Sequence, residues 1–361
     1  MKPRFVICRL AVKRTPYGHG STLGILVYRD SVHRPPIRLT DTDTICLMSS
    51  KPPWAAVIFT SKESLSDLLK TVDATLVAAA GCASVHVMVN GNTLLANELA
   101  KAFGARSTVA SGHTPMKIWS IPYGDKANAW NRYVHDIWDG ESIAFFVDGY
   151  ARPNPDALRV LGDSVHANPR AWGGSGVPSV GRSAKALRQN LIVNTGFHGN
   201  LCCIKGQVLL QMRTQNVRLP IGIYRTDSLM GAFLCLSLDP AHNVWDDSRI
   251  QVEPRASWSF DALRIWHPKD IFTHLKRLAR QARGRLEIKA FSDHLEGRQQ
   301  SPQSLPATGR ELVFEWVRCS PAQIKSLYKN RPLTWFAMRS LRKPSNEIPS
   351  SLSADLIWAR D

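Results

Sequence analysis

The strongest constraint on the fold is a stretch near the middle of the chain, residues 141–158, ESIAFFVDGYARPNPDAL. Apolar residues 143–147 run without a break into Asp148. Gly149, Tyr150 and a turn broken by Pro153 and Pro155 follow, and Asp156 then opens a helix. An unbroken apolar run of this length reads as a strand buried on both faces, so it belongs inside a sheet covered by helices. Its terminal carboxylate then emerges at the carboxyl edge of the sheet, where open α/β folds hold ligands. Asp148 has a second reading, as the cap of the turn that follows.

The segments before this stretch supply the rest of such a sheet. Residues 55–60 (AAVIFT) form a strand, and Ser61-Lys62-Glu63-Ser64 turns the chain. Leu65, Leu68, Leu69, Val72, Leu76 and Val77 then recur at helical spacing, with Ser64 placed as N-cap. Residues 85–89 (VHVMV) are the next strand, ending in Asn90-Gly91-Asn92-Thr93, and 94–103 form a second helix stopped by Gly104. This strand–helix–strand–helix order predicts a parallel sheet with right-handed crossovers. Neither strand is followed by G-x-G-x-x-G, which argues against a dinucleotide-binding dehydrogenase.

Residues 123–131 (YGDKANAWN) open a helix that continues through Tyr133 and Ile137. Lys126 stands at its start with Asn128 and Asn131 close by. A Lys there meets a phosphate or a base carbonyl, or it is simply solvated. Residues 157–190 read as helix and then a loop rich in Gly, Ser and Pro over 173–183. Residues 194–205 (NTGFHGNLCCIK) return as a strand in which Gly196 and Gly199 mark close backbone approach or tight turns. Residues 219–229 (LPIGIYRTDSL) lead through Arg225 and Thr226 to Asp227, at a helix start, where it is either an N-cap or a functional acid.

Residues 268–291 form an amphipathic helix. Ile271, Leu275, Leu278, Ala282 and Leu286 make its apolar stripe, and Lys276, Arg277, Arg280, Arg283, Arg285 and Lys289 cover the remainder. Such a face docks on anionic lipid or phosphate, or is solvated. Residues 297–309 read as a linker, 311–341 as a helical piece, and the last residues as frayed. The expected organisation is a β-rich lead-in over 1–54, an α/β domain over 55–296 and a linker with a helical extension over 297–361.

Composition narrows the partners. The formal net charge is +17 with a pI near 9.9, a surface that attracts phosphate-bearing molecules: nucleotides, nucleic acid or anionic headgroups. The nucleic-acid reading has no recognisable module behind it. The seven Cys contain no C-x-x-C pair, so a zinc framework is not expected and the thiols are expected to be reduced. No apolar run approaches the length of a membrane span and the N-terminus lacks a signal-peptide core, so the expected location is cytoplasmic, with the basic helix at the inner face of a membrane.

The order of these pieces resembles the family 2 glycosyltransferases and their GT-A fold, over about residues 55–290. The family's first strand ends V-I-P-x-Y-N-E, matched by VIFTSKE up to Glu63, and its second ends V-D-D-G-S, matched by VNGNT from Val89. Its G-K-x-x-A-x-N segment corresponds to GDKANAWN, and its F-x-D-A-D-x-x-x-x-P-D-x-L to FVDGYARPNPDAL. A glycine-led acceptor segment matches GNLCCIKG, and T-E-D-x-x-L matches YRTDSLMG. The processive Q-x-x-R-W motif is only echoed, in Gln281-Ala282-Arg283-Gly284-Arg285, which disfavours a polysaccharide polymerase.

The resemblance implies an inverting, non-processive hexosyltransferase moving sugar from a nucleotide-diphosphate donor to a saccharide or lipid-linked acceptor. Asp227 is implied as the base. Thr60, Glu63, Asn90, Lys126, Asn128 and Asp148 are implied to line the donor pocket, and Gly199, Asn200 and Arg225 the acceptor side. Tyr150 stands where the metal-binding acid of the family usually is. A divalent Mn or Mg held by Asp148, with His267 or His294, therefore competes with charge sharing by Lys126 or an Arg of the 276–289 helix. Asn90 stands for the acid that reads the base, and Thr226 for the Glu before the late Asp. The Tyr150 departure also fits a catalytically inactive nucleotide-sugar-binding protein.

Overall fold

The computed structural model describes residues 53–106, 114–179, 184–261, 268–330, 333–342 and 352–360. The expected lead-in over 1–54 thus falls, up to residue 52, outside the described residues. Among the described residues, one sheet contains β1 (Trp54–Thr60), β2 (Ala83–Asn90), β3 (Met116–Ile121), β4 (Ile143–Asp148), β5 (Arg152–Pro153), β6 (Gly173–Pro178), β7 (Leu201–Lys205), β8 (Ile250–Ser259) and β9 (Asp355–Arg360). Their order is β5-β8-β6-β7-β4-β1-β2-β3-β9. Strands β1, β2, β3, β4, β6 and β8 run one way and β5, β7 and β9 the other, so the sheet is mostly parallel.

Helices cover both faces. On one side lie α1 (Leu65–Ala79), α2 (Thr93–Gly104) and α4 (Ala157–Ala167), whose Leu68, Val72, Leu95, Leu99, Leu158 and Leu161 pack on Ile58, Val87, Phe145 and Val147. On the other lie α3 (Lys126–Arg132), α6 (Gly206–Thr214), α7 (Thr226–Cys235), α8 (Pro268–Ser292), α9 (Gly309–Cys319) and α11 (Leu333–Arg342), around Phe59, Phe146 and Cys202. The alternation of Phe145 and Phe146 between the two cores is the pleat of a strand buried on both faces. On the second side Phe146 stacks on Trp130 with centroids 3.8 Å apart, and Phe59 completes the cluster at 5.9 Å. Each such buried ring contributes about 1.5–3 kcal/mol. The remaining α-helices among the described residues are α5 (Ala184–Val193) and α10 (Pro321–Asn330).

The topology fixes where a site can be. From β1 the chain passes to β2 and β3 on one side, then returns through α3 to β4 on the other side of β1. The strand order therefore reverses between β1 and β4, and their carboxyl ends frame a crevice. Phe59 is in register with Asp148, and Gly149 N donates to Phe59 O at 2.8 Å. A side chain at Gly149 would stand 2.7 Å from Thr60 Cβ, so only glycine lets the two strand ends meet. Strand β7 is antiparallel to β4, with Val147 opposite Leu201, so the residues before β7 arrive at the same edge.

Three expectations are corrected. The Gly-rich stretch read as loop over 173–183 is strand β6 as far as Pro178. A Cβ at Gly173 would lie 2.4 Å from Cys203 O, one at Gly174 2.8 Å from Gln251 O and one at Gly176 2.8 Å from Ala256 O, so the glycines are what lets the strand fit between its neighbours. The segment 297–309 is bonded rather than free: Ile221 N donates to Ala307 O at 2.8 Å and Gly309 N to Ile221 O at 2.9 Å. The last residues do not fray over Asp355–Arg360, which pair antiparallel with β3. Helix α8 has the expected extent, but Arg283 and Arg285 are half-buried while Arg280 and Lys289 are exposed. The side chains of Lys276 and Arg277 lie outside the described residues.

Candidate active site

Lys126 is the first residue of α3. Asp125 caps that helix, accepting from Asn128 N at 2.8 Å. The loop before α3 is pressed against the end of β2, because a Cβ on Gly91 (φ 69°) would stand 2.4 Å from Gly124 Cα. From there Lys126 Nζ reaches Asp148 Oδ1 and forms an ion pair, with the two side chains 32% and 16% exposed. Burial draws the Lys126 pKa down, but the Asp148 and Asp227 carboxylates outweigh it, so the ammonium is held above its ordinary value.

Gly199 closes the group. A Cβ built on it would lie 3.3 Å from Lys126 Nζ, 3.5 Å from Asp227 Cβ and 3.7 Å from Asp148 Oδ2. Its N–H points toward Asp227 Oδ2 at 3.4 Å, while Asp227 Oδ1 accepts from Ser228 N at 2.9 Å. Asp227 thus sits in the first turn of α7, where the helix dipole favours a negative charge. Its other oxygen meets the Gly199 N–H rather than closing a cap.

Tyr150 OH lies 3.2 Å from Asp148 Oδ2 and 3.0 Å from Asn200 Oδ1. One phenol proton cannot serve both oxygens at once. The arrangement closes when Asn200 turns its amide N–H toward the phenol oxygen and the phenol donates to Asp148. Desolvation, then the Asp148 charge, holds the phenol well above its ordinary pKa, so Tyr150 remains a donor. His198 Nδ1 accepts from Asn200 N at 3.2 Å and its ring stacks on Trp258 at 5.3 Å. Burial keeps this imidazole below its ordinary pKa and therefore neutral near neutrality.

The other sequence-predicted residues divide. Glu63 Oε2 accepts from Thr60 Oγ1 (2.7 Å), Ser61 N (2.8 Å) and Lys62 N (2.9 Å), closing the loop after β1. Asn90 Nδ2 donates to Thr60 O at 2.7 Å, which leaves its amide oxygen for another donor. Asn128 is not brought to the crevice surface: it is fully buried, and its amide makes no hydrogen bond. Asn131 holds residue 219 through reciprocal bonds of 2.9 Å to the Leu219 backbone.

Arg225 lies over the Tyr224 ring at 5.4 Å. It has room because residue 284 is glycine; a Cβ there would stand 2.5 Å from Arg225 Nε.

Sequence reading missed the clamp that places Asp227. Glu287, fully buried on α8, accepts from Tyr224 N at 2.8 Å and Arg225 N at 3.1 Å, and its other oxygen accepts from Arg283 Nε at 2.8 Å. Arg283 also donates to Gly222 O, and Asp125 Oδ2 accepts from Gly222 N at 3.0 Å. The loop entering α7 is thus held from α8 and from the start of α3. Burial pushes both carboxyls up, against the pull of Arg283 and the backbone N–H groups.

A divalent ion asks more of this donor set than it supplies. Mg²⁺ or Mn²⁺ asks for an octahedron of oxygens. Here Asp148 offers one oxygen to the Lys126 ammonium and the other to the Tyr150 phenol. Among the described residues no group of three His, Cys, Asp or Glu converges. His294 is occupied by Ser304 Oγ at 3.0 Å and by Arg298, and His267 lies outside the described residues. This arrangement does not fit a metal held by Asp148.

Fold and site together define a class: an α/β protein with a charged crevice at the reversal point of its sheet, lined by two carboxylates and an ammonium. No family model matches the chain and no curated protein matches it. Similar solved structures include the mannosyltransferase PcManGT from Pyrobaculum calidifontis in complex with GDP-Man and Mn²⁺, with a TM-score of 0.49 at 15% identity over 81% of this chain and 85% of that one. TarS 1–349 from S. aureus gives 0.44 at 8% identity, covering 80% of each chain. Glucosyl-3-phosphoglycerate synthase from Mycobacterium tuberculosis, in complex with phosphoglyceric acid, gives 0.39 at 15% identity over 63% of this chain and 78% of that one.

Proposed function

We propose that the chain is a glycosyltransferase of GT-A type, transferring a sugar from a nucleotide-diphosphate donor to a saccharide or lipid-linked hydroxyl with inversion, one residue at a time. The observation that carries this reading is the meeting of Lys126, Asp148 and Asp227 around Gly199 at the sheet's reversal point. These groups come from segments far apart in sequence. They are the base and the counter-charge that the transfer needs.

In the reaction, Asp227 takes the proton of the acceptor hydroxyl. The acceptor oxygen forms its bond to the anomeric carbon from the face opposite the departing phosphate. The carbon–phosphate oxygen bond breaks, and its electron pair stays on the diphosphate. The Lys126 ammonium neutralises that charge as it develops. Asp148, oriented by Tyr150, binds donor hydroxyls. Thr60 and the Asn90 amide oxygen border the nucleoside side, and Asn200 and Arg225 the acceptor side.

The test is a thermal-shift screen of nucleoside diphosphate sugars with and without Mn²⁺, followed by an assay of diphosphate release. Asp227→Asn is expected to keep donor binding within about twofold and to slow turnover by a factor of about 10²–10⁴. Unchanged turnover in that variant removes the assignment.

One observation favours a second reading. The Lys126–Asp148 pair is already closed, which suits a protein that binds the donor without turning it over. Donor-induced stabilisation without diphosphate release, across acceptors, selects that reading.

A further inference from the structure

Helix α11 packs one face on the fold, burying Thr334, Ala337, Met338 and Leu341. Its other face is exposed and sets apolar side chains beside cations. Leu333, Trp335 and Phe336 are 40%, 49% and 59% exposed. At roughly 100° per residue, Arg342, Trp335, Arg339, Phe336, Ser340 and Leu333 follow one another around that outer face. Trp335 and Phe336 meet edge to face at 5.1 Å, and the Arg339 guanidinium lies 5.5 Å from the Trp335 ring centroid. Arg339 and Arg342 are exposed, as are Lys325 and Lys329 on the adjoining α10. The sequence from Trp316 to Asn346 carries Arg318, Lys325, Lys329, Arg331, Arg339, Arg342 and Lys343 and no acidic residue.

We propose that the outer face of α11 docks on the surface of an anionic lipid bilayer. Trp and Phe rings beside cations match the headgroup layer, where rings sit between apolar and wet phases and Arg and Lys meet lipid phosphate. Charge complementarity selects the occupant: an apolar patch in a stretch of sequence with seven cations and no acid suits a negatively charged sheet. A single-stranded nucleic acid would stack its bases on free ring faces. Here Arg339 covers a face of Trp335, and the Phe336 ring is turned against its neighbour. The inference rests on the C-terminal helices and not on the transfer reaction. It also moves the membrane face from α8, where Arg283 is committed to Glu287 and Gly222.

The experiment is co-sedimentation of the full chain with phosphatidylcholine vesicles, with and without phosphatidylglycerol, at low and high salt. Binding is expected to the anionic vesicles alone and to weaken with salt. Arg339→Ser with Arg342→Ser should weaken it about 30-fold, from about fivefold per basic residue. Trp335→Ser with Phe336→Ser should weaken it at least tenfold, a loss of about 1.4 kcal/mol. Both pairs lie on the exposed face, and unchanged thermal unfolding confirms that each variant is folded. No binding to anionic vesicles at low salt overturns the proposal, as does binding that neither double variant changes. Loss of oligonucleotide binding, or of self-association, in these variants with vesicle binding untouched assigns the face to that partner and equally overturns it.

Discussion

Lys126→Met removes one charge while keeping most of the side-chain volume, and it separates the two accounts of how leaving-group charge is handled. Two costs follow. The first falls on stability, because Asp148 loses its partner. Removing one member of a fully buried pair costs about 3–5 kcal/mol. With the side chains 32% and 16% exposed, and Tyr150 OH still 3.2 Å from Asp148, about 1–2 kcal/mol is the expected loss. The second falls on catalysis. Two unit charges about 4 Å apart at an effective dielectric of about 20 interact by about 4 kcal/mol. A third to all of that, lost only in the transition state, slows turnover by a factor of roughly 10 to 10³. The assay is diphosphate release under saturating donor, with thermal unfolding and donor affinity measured on the same preparations. Lys126→Arg should recover part of the rate because it restores the charge. Wild-type turnover in Lys126→Met would refute the reasoning. So would full rescue of that variant by Mn²⁺, which would make Asp148 a metal ligand and Lys126 a bystander.

The remaining predictions concern how the site is held. Glu287→Gln keeps one acceptor for the loop but loses the charge that serves Tyr224 N, Arg225 N and Arg283. It should slow turnover more than it weakens donor binding, and equal effects on both would show that the clamp does not position Asp227. Asp125 and Glu287 carry pKa values raised above their ordinary 3.8 and 4.5. Their stability contribution is therefore complete below those values and is lost as pH rises through the raised folded values. Urea midpoints should show Asp125→Asn, which keeps a capping side chain, losing less stability than wild type from the acid range to neutrality; a steeper loss would contradict the shift. Gly91→Ala forces a Cβ to 2.4 Å from Gly124 Cα at φ 69°. It should cost about 1–3 kcal/mol or more in equilibrium unfolding, and a neutral substitution would show that the loop before Lys126 is free to move.

What was legible in the sequence followed from local pattern. Strands β1, β2 and β4 are short apolar runs ending in polar residues, and Ser64 caps α1 through Asp67 N as its position suggested. The bounds of α8 followed from its stripe. The convergence of Lys126, Asp148 and Asp227 was legible only through the order of motifs, since nothing local says that the start of α3 and the start of α7 meet. The clamp was hidden for a physical reason. Glu287 stands among cations on a helix that reads as a basic surface, and only packing shows that it turns inward while Arg280 and Lys289 turn out. Strand β6 was hidden because glycine lowers local β-propensity, whereas here its missing side chain is the condition for packing. Strand β9 lies far from β3 in sequence, and edge pairing over such a distance leaves no periodic trace.

On the proposed function, the site's electrostatics bear on what donor binding must do. Lys126 is shared between Asp148 and Asp227, whose charges both act on it. A diphosphate entering the crevice brings at least as much negative charge as Asp148, so the cation cannot serve both at full strength. The competition resolves if the phosphate draws Nζ away from Asp148 while Tyr150 keeps donating to Oδ2, which leaves Oδ1 free for a sugar hydroxyl. Asp148 then exchanges a cation for hydroxyl donors, an exchange less costly at this partly wet edge than in a dry core. The Tyr150 phenol is what makes it feasible: an acid at that position would add a third negative charge beside the diphosphate and would demand a metal. Lys126 and Tyr150 thus form one electrostatic solution, and Tyr150→Asp should make activity require Lys126 and a divalent ion together.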